Sequence, residues 1–113
     1  MAEEEVCIPV QLDGSVGTTS KKIDGLKSGK YLEFYIENTH ASNTLYLSMD
    51  GEQHWKAITP TGPNGETKSV RSLSIKGTAT KPLLIKEEDW KLKGNASEIT
   101  FEIIALKIQK EAV

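Results

Sequence analysis

"ENTHASNTLYLSMDGEQHW", residues 37–55, sets how the whole chain is read. Within it, Leu45, Leu47 and Met49 share one parity, and Thr44, Tyr46 and Ser48 share the other. That period of two is the signature of a strand with one buried face, not of a helix. Asp50-Gly51 punctuates its end as a turn. The stretch therefore predicts one strand ending near Asn38, a polar turn, and a second strand, in the manner of a hairpin. No nucleophile elbow, phosphate loop or metal-ligand cluster lies in it.

The pattern extends outward on both sides. Upstream, "YLEFYIE" places Leu32, Phe34 and Ile36 on one face, with Glu33, Glu37, Tyr31 and Tyr35 on the other. Downstream, "SLSIKG" repeats the alternation with Leu73 and Ile75. The final run, "SEITFEIIALKIQ", carries Ile99, Phe101 and Ile103 on one parity and Ile104, Leu106 and Ile108 on the other. A β-bulge near Ile103-Ile104 would return the second set to the core and is the preferred expectation. The alternative is a strand covered on both faces, by a second sheet or another subunit.

Pro9 in "VCIPVQL" cannot donate to a ladder, which predicts an edge strand or an irregular start. "KEEDWKLKG" (86–94) is the one segment suited to a short helix, ended by Gly94. Turn signals at Asp13-Gly14, Asp24-Gly25, Ser28-Gly29, "PTGPNG" (60–65) and Lys76-Gly77 keep every run short. The expected fold is all-β: an antiparallel, jelly-roll-like β-sandwich with short turns and at most one short helix. It forms a single domain over 1–113, with 1–12 as an edge strand or an N-terminal arm.

Composition narrows the function classes. The 113 residues are 37% hydrophobic and 27% charged, with 14 Lys+Arg against 16 Asp+Glu. Arg71 is the sole arginine and the lysines are dispersed among carboxylates, so no nucleic-acid partner is expected. The apolar runs are too short to cross a bilayer, so no membrane partner is expected either. "MAEEEV" is acidic where a secretory signal is basic and then apolar, which argues against export. Cys7 is the lone cysteine; its neighbours Val6, Ile8 and Val10 predict a packed, unreactive thiol.

Site by site, the chain offers little chemistry. Asp50, Glu52 and His54 would share one face if extended, about 7 Å apart in succession, but the Asp50-Gly51 turn interrupts that alternation. No serine sits in a GxSxG-type elbow. We therefore expect no catalytic residues, no cofactor and no metal. Interface or ligand contacts are expected instead at Trp55, Trp90 and Tyr46, and at Pro63 and Asn64 in the protruding "PTGPNG" loop. Asn95-Ala96-Ser97 matches the glycosylation pattern by chance.

The order of these pieces carries a resemblance. "IEN", a short polar turn, "TLYLSMDG", a long loop, "SLSIKG" and a final aliphatic strand resemble the small β-sandwich proteins of tailed-phage virions. There, an aliphatic-x-aliphatic-x-Asn strand pairs with an aliphatic-Tyr-aliphatic strand ending in Asp/Gly. The likeness runs from about residue 31 onward; "ETKSVR" departs from the family's Pro-Gly turn, and the first 30 residues match nothing in it. It implies a non-enzymatic head decoration (cement) or accessory protein, assembled in the bacterial cytoplasm and resident in the virion. Its partners would be the major capsid protein or other virion proteins, and a homo-trimer on a local threefold fits that role. The competing expectation is a carbohydrate-binding or receptor-binding module that stacks sugars on exposed Trp and Tyr.

Overall fold

The computed structural model describes residues 3–40, 42–60 and 71–112. These form nine strands and, among the described residues, no helix. They are β1 (Glu3–Val16), β2 (Lys21–Lys22), β3 (Gly29–Asn38), β4 (Leu45–Ser48), β5 (Lys56–Ile58), β6 (Ser72–Lys76), β7 (Leu83–Ile85), β8 (Lys91–Gly94) and β9 (Ile99–Ala112). Two antiparallel sheets face each other as a β-sandwich. In the first, β1 pairs β9, β9 pairs β3, and β3 is flanked on its far side by β6 and β7. The second runs β2-β8-β4-β5.

The core lies between the sheets, drawn from both. Phe34, Ile36, Ile103 and Ala105 of the first sheet meet Leu45, Leu47, Ile58 and Leu92 of the second. Trp90 is 5% exposed and packs edge-on to Phe34, with ring centroids 4.8 Å apart, a favoured aromatic geometry. Trp90 is thus an internal residue, not the surface contact that its charged neighbours suggest. The expected helix around it is also replaced: Lys86–Asp89 make a turn, closed by N–H donations from Asp89 and Trp90 to the Lys86 carbonyl, and β8 follows. Gly94 does not cap a helix. It is a strand residue, and a Cβ there would stand 2.2 Å from Ile99 Cδ1, so close packing against β9 explains the glycine.

The hairpin expected over 37–55 does not form. Strand β3 belongs to the first sheet and β4 to the second, so residues 39–44 cross between sheets. Asn38 makes that corner. Fully buried, it donates from Nδ2 to the carbonyls of Asn43 and Ile58, both at 2.8 Å, and accepts the His40 N–H at Oδ1 (2.9 Å). His40 Nδ1 then accepts the N–H groups of Ser42 and Asn43 at 3.1 Å. These side chains satisfy backbone groups that hairpin pairing would otherwise have satisfied.

The irregularity expected in the last strand lies in its partner. β9 runs unbroken, and the register against it shifts between Tyr31 and Glu33, leaving Leu32 as the extra residue of a bulge in β3. The bulge places Tyr31 and Phe34 on the same, inner face; both are fully buried. Tyr31 donates its hydroxyl to the Lys27 carbonyl at 2.6 Å, and burial, with Glu87 nearby, holds its pKa above the usual phenolic value. With β9 straight, Ile104, Leu106 and Ile108 face outward.

Pro9 lies on β1, an edge strand that pairs with β9 alone among the described residues. Cys7 is exposed rather than packed. Its apolar neighbours have even numbers and the odd positions of β1 point to the outer face, so parity overrides local composition.

Candidate functional site

Three features of the molecule bring polar, charged or aromatic side chains together near its surface. The first lies on the outer face of the second sheet. Tyr46 on β4 sits beside Lys93 on β8 and Ala57 on β5, and Trp55 precedes β5. Lys93 Nζ stands 4.3 Å from the centre of the Trp55 ring and 6.0 Å from that of Tyr46. A cation over two aromatic faces is an attractive arrangement. Two expected contact residues, Tyr46 and Trp55, are thereby brought together, although eight residues of turn and strand lie between them. Lys93 was not legible as their partner, because the pairing of β4 with β8 is a tertiary fact. Pro63 and Asn64 lie outside the described residues.

The second feature is the loop from Ser48 to His54. Ser48 is fully buried; its hydroxyl donates to Asp50 Oδ1 (3.0 Å) and accepts the Glu52 N–H (2.9 Å). Asp50 Oδ1 accepts the His54 N–H at 2.9 Å, and Oδ2 lies 2.6 Å from His54 Nδ1. The backbone hydrogen bond and the imidazole contact from His54, with Ser48 adding a further donor, hold the Asp50 carboxyl at a pKa of about 2. Gly51 and Glu52 both take left-handed conformations, with φ of 70° and 73°. Glu52 turns away to Ser20 and to Lys91 Nζ (3.2 Å). Those contacts, the Ser20 hydroxyl foremost, lower its pKa.

Asp50, Glu52 and His54 therefore do not converge. Asp50 and His54 pair while Glu52 joins β8, and no group of three potential metal ligands occurs among the described residues. The loop's hydrogen bonds instead fix a sharp turn between β4 and β5, with the Gly51 N–H donating to the Asp89 carbonyl at 3.0 Å.

The third feature is the outer face and free end of the first sheet. Ile104 is 46% exposed and Leu84 68%; Leu106 and Ile108 are half-buried, and Pro9 and Cys7 beside them on β1 are exposed. Across the same face, Asp13, Glu102 and Glu37 stand in one row. Beyond that row, Asp13, Ser15, Thr39, Thr100 and Glu102 line a groove of about 590 Å³. Its walls hold carboxylates and hydroxyls, and no His, Cys or Lys stands among its lining to act on them. At the other end, β1 and β9 stay paired through Glu3–Ala112, whereas β3 reaches β9 only as far as Ile108. The last pairs form a two-stranded ribbon, and the molecule measures 56 × 27 × 21 Å.

No protein-family model matches the chain, and no curated protein matches it.

Proposed function

We propose that the protein is a non-enzymatic virion structural protein, a capsid decoration or accessory module that attaches to a phage shell by its β1/β9 ribbon. The observation that carries the reading is the ribbon itself. Residues paired from Glu3↔Ala112 to Val6↔Gln109 have no third strand among the described residues. An isolated pair of strands is marginal in water, and its edges offer unpaired N–H and C=O groups to any neighbouring strand. A lattice of shell proteins supplies such neighbours many times over, so that modest contacts sum to firm attachment. The likeness of residues 31 onward to virion β-sandwiches supports the same class of partner.

Density-gradient sedimentation of particles from the source culture tests this. The full-length protein is expected to band with full particles; recovery only at the top of the gradient would overturn the reading. Deleting residues 3–6 is expected to release it from particles without lowering the unfolding temperature of the sandwich, since β3 does not lean on that part of the ribbon.

A second reading rests on Tyr46 and Trp55, which flank the same lysine on the outer face of the second sheet. As a carbohydrate-binding or receptor-binding module, the protein would present Trp55 to a glycan, and glycan titration would quench its fluorescence. Lys93 already covers one face of that ring, so this reading ranks second.

A further inference from the structure

The outer face of the first sheet has a charge order that bears on what covers it. Four rows cross it, each perpendicular to the strands. The first joins Cys7, Ile108 and Lys30. Next come Pro9, Leu106 and Glu33, with Lys76 of β6 beside Glu33, and then Gln11 with Ile104 and Tyr35. Asp13, Glu102 and Glu37 form the last. One end thus carries Lys30, the middle is apolar across β1 and β9 with the opposite charges Glu33 and Lys76 at its β3–β6 side, and the other end is anionic. Carboxylates side by side across a sheet repel. Glu37 is relieved by Arg71 Nε at 3.1 Å, but among the described residues Asp13 and Glu102 have no ion-pair partner, and neither has Lys30.

We infer that this face binds a second copy of the chain, in a face-to-face dimer whose twofold axis runs across the strands between the Leu106 and Ile104 rows. Such an axis exchanges the two ends. Lys30 of each copy meets Glu37 and Glu102 of the other, while Ile104 of each packs on Leu106 of the other. One alternative face-to-face twofold lies along the strands. It keeps the rows in place and stacks three carboxylates on three, so charge selects between the two arrangements. The four rows cover about 19 Å by about 27 Å at standard strand spacings. That is on the order of 500 Å² per copy, at the low end of specific interfaces. The dimer is therefore weak and dependent on concentration and salt. It leaves the ribbon free, and it stands or falls independently of attachment to a shell.

Sedimentation velocity on the full-length chain, from micromolar to millimolar concentration, tests the proposal. Dimers are expected to form at the upper end and to dissociate on adding salt. Ile104→Glu, at a site already 46% exposed, is expected to abolish them while leaving the thermal unfolding of the monomer unchanged. Geometry gives a sharper test. The axis places Cys7 of one copy against Asp13 of the other, whereas the two Cys7 residues lie at opposite ends of the interface, about 20 Å apart. Under mild oxidation, Asp13→Cys is expected to give a doubly cross-linked dimer, lost again on adding Cys7→Ser. A monomer at every concentration, a trimer, an Ile104→Glu variant that still dimerises, or cross-linking of the wild type as fast as of Asp13→Cys would each overturn the inference.

Discussion

The two sheets share one core yet are held in different ways. The first is built on three long strands, with 14 residues in β1, 10 in β3 and 14 in β9, and the short β6 and β7 pair with β3, so backbone ladders do most of the fixing. Strands of the second contain 2, 4, 3 and 4 residues, too few to set their own register. Side chains reach to backbone there instead. Asn38 holds the entry to β4, Ser48 and Asp50 its exit, and Asn95 Oδ1 accepts the Thr44 N–H at 3.1 Å. Outward, the first sheet shows aliphatic side chains and the second a lysine laid over aromatics. Short strands leave more of the fold to individual polar residues, which makes the second sheet the easier one to break by point substitution.

Phe34→Ala should blur the contrast, because Phe34 and its partner Trp90 join both sheets. Chemical denaturation is expected to show a loss of about 3–5 kcal/mol, the usual range for truncating a buried aromatic, with the two sheets unfolding together. Asn38→Ala should sharpen it. Two buried carbonyls lose their donors and the corner loses its buried amide, a cost of about 2–4 kcal/mol. Hydrogen exchange is then expected to quicken in β4 and β5 well before β9. Equal exchange in all three would show that Asn38 is not the tie between the sheets.

Asp50 gives a pH-dependent version of the same contrast. Its pKa falls on folding from 3.8 to about 2, so the native state favours the carboxylate. The stability this adds is fully present above pH 3.8 and is lost as pH falls through about 2. Asp50→Asn should therefore be less stable than wild type near neutrality, with the gap closing as the pH approaches 2. A gap that stayed constant over that range would mean the charge on Asp50 is irrelevant to the turn. Lys93→Ala should be the mildest change, costing about 0.5–1 kcal/mol for a partly exposed cation over a ring. Trp55 fluorescence reports it directly: removing Lys93 is expected to shift the Trp55 emission with little change in unfolding midpoint.

Parts of this architecture were readable along the chain. Alternation in "TLYLSM" and "SLSIKG" gave strands with the right inner residues, Leu45 and Leu47 buried and Leu73 and Ile75 packed against the core. Pro9 marked an edge. Trp90 misled, because its charged neighbours belong to a turn that ends just where the ring enters the core. At Cys7 the composition of the neighbours pointed inward and parity pointed out. Of the expected contact residues, Tyr46 and Trp55 share a surface, but only the second-sheet order could add Lys93 to them.

What the sequence by itself determined was the material: period-two runs cut short by Gly, Pro, Asn and Asp can bury one face only by packing sheet on sheet. What tertiary structure decided was which strand meets which. "ENTHASNTLYLSMDG" satisfies the local rules for a hairpin, yet Asn38 can bond the Ile58 carbonyl only after β5 has arrived from twenty residues away. Likewise, Ile104, Leu106 and Ile108 read as core residues until β3 absorbs the irregularity at Leu32 and leaves β9 straight. Alternation fixes which side chains share a face. The bulges and crossings that turn a face inward or outward depend on partners distant in sequence.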